Sequence, residues 1–112
     1  MPRVALRLWL PVVTWAAVIF VLSSIPSLSS GLGAWDLLLR KAAHVIEFAI
    51  LGALLARATG VVAAAFVLGV VYAATDEFHQ EFVSGRNGNV LDIIIDAAGV
   101  AAGVVLYRRL RT

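Results

Sequence analysis

The chain has 112 residues, of which 62% are hydrophobic and 14% are charged, and it contains no cysteine. A soluble domain of this length would need more polar surface to cover its small core, so the composition indicates an integral membrane protein in a lipid bilayer. The lack of cysteine excludes disulfides and thiolate metal sites. The formal net charge is +2, but the basic residues lie at the ends of apolar blocks, which argues against nucleic-acid binding.

Four apolar blocks predict four transmembrane helices, at about residues 8–25, 41–58, 61–82 and 90–110. The predicted fold class is therefore all-α: a single membrane domain over residues 1–112, built as a four-transmembrane-helix bundle.

The first block has a second interpretation, because a basic start before an apolar stretch is also typical of a signal peptide. We favour a membrane span, since the block is long and contains Trp9 and Trp15. Residues 26–36 are rich in Pro, Ser and Gly and predict a loop. Thr59-Gly60 predicts a tight turn with the glycine at a helix C-terminus.

The positions of the basic residues predict the topology. With four spans, one side of the membrane receives Arg3, Arg7, Arg57, Arg108, Arg109 and Arg111. The other side receives only Arg40, Lys41 and Arg86. The positive-inside rule therefore predicts that both termini are cytoplasmic. The same arrangement gathers every acidic residue and both histidines in the outer half or the outer loops.

Three helices each carry polar residues at helical spacing. His44 and Glu47 are three residues apart in the second helix, so they share a face. Asp92 and Asp96 share a face of the fourth helix. Charged groups in a membrane avoid lipid, so we expect these faces to meet in one polar pocket. The first helix has almost no polar groups and is predicted to be scaffold.

The third helix contributes Asp76 and, at its outer end, Glu77, His79 and Gln80. Each polar group also has a structural interpretation: His44 with Glu47 could lock two helices together, and Asp92 could complement the helix dipole. Gly99 and Gly103 form a Gly-x-x-x-Gly pattern that predicts close helix packing.

Three kinds of chemistry suit such a pocket. Imidazoles and carboxylates could bind a divalent metal, although the sequence contains no His-Glu-x-x-His pattern. Crowded carboxylates could instead share protons in general acid/base catalysis. The same groups could also bind the polar head of a lipid-linked ligand without any reaction.

Three segments closely resemble the VanZ-like family of bacterial membrane proteins. They are FVLSSIP at 20–26, KAAHVIEFAILGALL at 41–55 and DEFHQEFVSGRNGNVLDIIIDAAGVAAG at 76–103. Carried over one by one, the family's polar positions fall on Lys41, His44, Glu47, Asp76, Glu77, Gln80, Arg86, Asp92 and Asp96, while His79 is less fixed.

The resemblance implies a four-helix domain in the bacterial cell membrane. The family takes its name from an accessory protein of glycopeptide resistance that is linked to teicoplanin. We therefore expect an outward-facing pocket that binds a lipid-linked or cell-wall-related substrate and, if the chain is an enzyme, modifies it. A non-catalytic binding or assembly module is the alternative, and a proton-coupled carrier is a weaker one, since the cytoplasmic half has no acid or histidine to complete a proton path.

Specific roles follow from this hypothesis. The expected catalytic residues are His44, Glu47, Asp76, Asp92 and Asp96, with His44 or Asp76 as the base and Glu47 as its orienting partner. Asp92 and Asp96 would act as an acid or metal-binding pair. The expected substrate-binding residues are Lys41, Glu77, His79, Gln80 and Arg86, with Lys41 and Arg86 holding an anionic group.

Overall fold

A computed structural model describes residues 2–24, 34–82 and 90–111 of the chain, without the side chains of residues 2, 34, 36 and 37. It contains four α-helices within these ranges: α1 (Pro2–Ser24), α2 (Ala34–Thr59), α3 (Val62–Gln80) and α4 (Val90–Arg111). The prediction of an all-α chain with four helices is confirmed.

Two helices begin earlier than predicted. α1 starts at Pro2 rather than near residue 8, and α2 starts at Ala34 rather than near residue 41. The last residues of the predicted 26–36 loop therefore belong to α2. The predicted starts were the first residues of apolar blocks, whereas arginine, leucine and alanine are strong helix formers that extend a helix beyond its apolar part.

The turn between α2 and α3 is as predicted. Gly60 has a φ of 70°, and its N–H donates to the carbonyl oxygen of Ala56 at 2.9 Å. This left-handed glycine ends α2 in the manner of a helix C-cap, so the chain reverses within two residues. At its other end α3 stops at Gln80, two residues before the predicted boundary.

Among the described residues, three helices are long and apolar enough to cross a membrane: α1, α3 and α4. All four helices carry large apolar side chains on their outer surfaces, among them Phe20, Ile46, Phe66 and Ile94, which are 39–60% exposed. Outward apolar side chains on every helix suit a lipid environment. The chain therefore has the features of a helical membrane protein, and the four-span count with cytoplasmic termini stays a prediction.

Glycines set the closest helix contact, between α2 and α4. A Cβ atom on Gly103 would overlap the carbonyl oxygen of Ala49, and one on Gly99 would lie 2.7 Å from the carbonyl oxygen of Val45. The predicted Gly-x-x-x-Gly packing is thus confirmed. The two helices run parallel in this contact, so the start of α2 lies beside the start of α4.

α1 contacts α2 and α3, and within the described residues it makes no contact with α4. Two hydrogen bonds to backbone carbonyls help to hold it in place. The Trp15 indole donates to the carbonyl oxygen of Glu47 at 2.9 Å, and the Tyr72 hydroxyl donates to the carbonyl oxygen of Ala16 at 2.5 Å. As a result, the end of α1 lies beside the end of α3 and the start of α2.

Candidate functional site

The centre of the site is a histidine held between two helices. His44 of α2 lies with Nδ1 3.1 Å from Oδ1 of Asp96 in α4, and with Nε2 3.3 Å from the side-chain nitrogen of Gln80 in α3. With its proton on Nδ1, the neutral imidazole donates to Asp96 and accepts from Gln80. Asp96 is 0% exposed, because the glycine contact brings α2 and α4 together just below it.

Gln80 connects this pair to a second carboxylate. Its side-chain nitrogen lies 3.4 Å from Oδ2 of Asp76 and 3.3 Å from the hydroxyl of Ser23 in α1. Asp76, Gln80 and Ser23 are each at most 4% exposed. An amide nitrogen carries two hydrogens, so Gln80 has three acceptors for two protons and cannot satisfy all of them at once.

Lys41 and Asp92 form the accessible edge of the site. The Lys41 amine donates to Oδ1 of Asp92 at 2.5 Å, and the two side chains are 35% and 25% exposed. Asp92 lies one helical turn before Asp96 on α4, and Lys41 lies one turn before His44 on α2. A polar path therefore leads from a partly exposed ion pair to the buried cluster of His44, Asp76, Gln80 and Asp96, which we call the inner cluster.

The inner cluster contains two carboxylate oxygens that no described residue satisfies. They are Oδ1 of Asp76 and Oδ2 of Asp96, both buried. Buried polar atoms in proteins are almost always hydrogen-bonded, because an unpaired one loses its interaction with water without compensation. One ligand atom from each of His44, Asp76 and Asp96 lies within 4.8 Å of the others. The site therefore combines two unused acceptors with three potential ligand groups that lie close to one another.

Three other predicted site residues lie within the described part of the chain. Glu47 is half-buried and lies one turn after His44 on α2. Glu77 is 3% exposed. The His79 ring stacks on Phe20 of α1 with the ring centres 4.1 Å apart. Arg86 lies outside the described residues.

The described hydrogen bonds of the site run between helices. His44 contacts Asp96 of α4 and Gln80 of α3, and the expected orienting role of Glu47 stays a prediction. Asp92 binds Lys41 of α2, and its expected action together with Asp96 also stays a prediction. Side chains one turn apart on a helix point in similar directions, and each of these meets a group on the neighbouring helix.

Ser23 is the residue that sequence reasoning missed. It is 2% exposed, and its hydroxyl accepts a hydrogen bond from the Gln80 side chain at 3.3 Å. The expectation that α1 is only scaffold is therefore wrong at this position. The signal was present in the sequence, since the FVLSSIP segment that resembles the VanZ-like family places a serine pair at the end of the first helix.

A cavity of about 330 Å³ lies at the opposite end of the bundle, lined by Val62, Val105, Arg108 and Arg109. It is separate from the inner cluster, since α3 begins there and α4 ends there. The acids and the basic C-terminal residues thus occupy opposite ends of the described bundle, in agreement with the predicted sorting of charges.

These features define a helical membrane protein with buried ionisable groups at one end of its bundle. The family model described as VanZ/LLP1 matches residues 4–111, which is nearly the whole chain, and the chain belongs to the VanZ/LLP1 family. Comparison with curated proteins and with solved structures gave no match. The resemblance seen in the sequence is therefore confirmed at the level of the family.

Proposed function

We propose that this chain is a four-span protein of the bacterial cell membrane whose inner cluster binds the polar head of a lipid-linked or cell-wall-related substrate. The observation that carries the proposal is the burial of two carboxylates with unused oxygens in the apolar part of the bundle. An acidic side chain at the centre of a membrane helix costs about 2.5–3.5 kcal/mol on insertion scales, so such groups are retained where they serve a function.

The arrangement of the polar groups favours a ligand that arrives from the bilayer. The partly exposed Lys41–Asp92 pair lies at the edge of the site, where a lipid headgroup could reach it. Lys41 supplies a cation for an anionic group, while the unused oxygens of Asp76 and Asp96 would accept hydrogen bonds from hydroxyl or amide groups further in. The cell-wall context and the link to teicoplanin resistance come from the family's name and extend to this chain as part of the proposal.

Lipid extraction from the purified protein tests the proposal. We expect the wild-type chain, isolated in a mild detergent, to carry a lipid-linked species that mass spectrometry identifies by its headgroup. A double variant, Asp76→Asn with Asp96→Asn, should retain about tenfold less of it, the loss that follows when roughly 1.4 kcal/mol of binding is removed.

The matched control changes charge at the other end of the bundle. Arg108→Gln with Arg109→Gln removes two charges without touching the inner cluster, and its extract should match that of the wild type. Identical lipid profiles for the wild type, the site variant and the control would show that the cluster does not bind a lipid-linked head.

Acid/base chemistry on the bound head is the second candidate, favoured by the hydrogen bond between His44 and Asp96. A carboxylate that orients an imidazole fixes its tautomer, and the second ring nitrogen, here within hydrogen-bond distance of Gln80, is then the one that can accept a proton. An enzyme should yield both substrate and product in the wild-type extract, but only substrate in the His44→Gln extract. The same ratio of species in both extracts would leave binding as the function and exclude a reaction that depends on His44.

A further inference from the structure

We propose that His44, Asp76 and Asp96 hold a divalent transition-metal cation. This inference deepens the proposed function and rests on it for the role of the ion, although binding of the ion itself is measured separately. The three residues come from α2, α3 and α4, and one ligand atom of each lies within 4.8 Å of the other two.

Charge is the first argument for a cation. Asp76 and Asp96 are 2% and 0% exposed, and Lys41, the single lysine of the chain, is already paired with Asp92. His44 supplies at most one positive charge against two carboxylates. Two buried negative charges that share a dry site are unstable unless a proton or a cation compensates them. A divalent cation would balance both.

Unused oxygens are the second and independent argument. Oδ1 of Asp76 and Oδ2 of Asp96 have no hydrogen-bond partner among the described residues. Both carboxyl groups do have a partner for their other oxygen: Gln80 for Asp76 and His44 for Asp96. Each carboxylate is thus held in orientation through one oxygen while the other remains available, which is how ligating carboxylates are commonly supported.

The geometry requires only small movements. Ligand atoms about 2.1 Å from a tetrahedral zinc ion lie about 3.4 Å from one another. Starting from the present limit of 4.8 Å, the three atoms need to approach by at most about 1.4 Å, which side-chain rotations can supply. A fourth position remains for water or for an oxygen of a bound headgroup, as in sites where the metal acts on a substrate.

Gln80 has the position of a supporting group for the histidine. It lies 3.3 Å from Nε2 of His44. Whichever ring nitrogen binds the ion, the other has a supporting group within reach: Gln80 beside Nε2 or Asp96 beside Nδ1. One imidazole with two carboxylates suits Zn²⁺ or Mn²⁺ better than Mg²⁺ or Ca²⁺, which prefer oxygen ligands alone.

The ion would also explain how an acidic site binds an anionic headgroup. Carboxylates alone repel a phosphate, whereas a metal ion held by carboxylates attracts it and polarises its oxygens. The substrate class this implies is a lipid-linked phosphate or a similar anion, with Lys41 as a second positive group at the edge of the site.

Metal content of the tag-free protein is the direct test. The chain is purified in detergent, stripped with a chelator, equilibrated with micromolar Zn²⁺, desalted and analysed by elemental mass spectrometry. We expect about one ion per wild-type chain, which is the stoichiometry of a single site. Asp76→Asn and Asp96→Asn should each lower the bound zinc by about tenfold or more, because each removes a charged ligand of nearly the same shape. The matched control, Glu81→Gln, neutralises an exposed acid just beyond α3 and should leave the stoichiometry unchanged.

X-ray absorption of the zinc-loaded wild type identifies the ligands of the ion directly, so it tests the site even if the variants do not accumulate in the membrane. The spectrum should contain the scattering of one imidazole with the remaining ligands being oxygen. A wild-type chain that binds no zinc after loading, or zinc without an imidazole ligand, overturns the inference. So does a double Asn variant that binds as much zinc as the wild type.

The lipid extraction described above separates this inference from the proposed function. Zinc bound at one ion per chain together with an unspecific lipid profile supports the metal site and contradicts the lipid-linked substrate. A specific lipid in a chain that binds no zinc supports the lipid-linked substrate and contradicts the metal site.

Discussion

Gly103 allows a close test of the packing that builds the site. A methyl group at this position would overlap the carbonyl oxygen of Ala49 on α2. Because that oxygen belongs to a helix backbone, the overlap can be relieved only by separating α2 from α4. Overpacking of this kind costs about 1–3 kcal/mol, whereas replacing glycine by alanine in a helix ordinarily gains roughly 0.5–1 kcal/mol. The upper half of the overpacking range applies because a helix backbone cannot turn aside, so we expect Gly103→Ala to lower the free energy of unfolding by about 1–2.5 kcal/mol.

Gly69→Ala is the matched control. Its added methyl would lie 2.5 and 2.9 Å from the two γ-carbons of Val100, so it meets a side chain instead of a backbone. Val100 is buried and β-branched, so it can shift only slightly, but it moves more easily than a helix backbone, and we expect a loss of about 1 kcal/mol that is smaller than the loss for Gly103→Ala. Unfolding by increasing fractions of sodium dodecyl sulfate in mixed micelles, followed by helical circular dichroism, measures both variants. Equal stability of Gly103→Ala and the wild type would refute the α2–α4 contact described here.

Three further predictions concern the hydrogen bonds and the topology. Tyr72→Phe removes the hydroxyl that binds a carbonyl of α1, and the same unfolding assay should detect a loss of about 0.5–1.5 kcal/mol; no loss would contradict this contact. Gln80→Leu should lower the free energy of unfolding by about 1–3 kcal/mol, because it removes the donor of two buried acceptors, whereas Ser23→Ala should lower it by less than about 1 kcal/mol, because the serine is one of three acceptors for two protons. A larger loss for Ser23→Ala than for Gln80→Leu would contradict the described network. Single cysteines replacing Ser84 and Arg111 should react with membrane-impermeant reagents from opposite sides, and labelling from the same side would exclude the four-span topology.

The helices and their polar faces could be predicted because both follow from local rules. Residues three or four apart share a face of a helix, so the faces of α2, α3 and α4 could be assigned from spacing alone. Convergence of these faces followed from the cost of placing charges in lipid. The structure brings His44, Asp76 and Asp96 together as that reasoning expects.

Pairing within the site could not be predicted, because it depends on helix register. Whether His44 meets Asp96 or another residue of α4 is set by how far α2 slides along α4. That register is fixed where Gly99 and Gly103 let the backbones approach. Sequence spacing identifies the glycines as a packing surface, but it does not say which residues of another helix lie against them.

The role of Ser23 was missed for a related reason. A serine in an apolar helix commonly bonds its own backbone, and the neighbouring Ser24 does so, donating to the carbonyl oxygen of Phe20 at 2.8 Å. Nothing in the residue type distinguishes the two serines. Only the packing of α1 against α3 turns Ser23 toward Gln80 and Ser24 toward His79.

The central claim is that the inner cluster is a binding site and not a structural lock between helices. The stability of Asp96→Asn in metal-free detergent distinguishes these two roles most directly. A binding site holds unfavourable charge in place for its ligand, so neutralising Asp96 should leave the free energy of unfolding unchanged or raise it. A structural ion pair predicts the opposite, because removing one partner of a buried pair costs about 3–5 kcal/mol. An unfolding free energy equal to or above that of the wild type is the expected result, and a loss of about 3 kcal/mol or more would contradict the account.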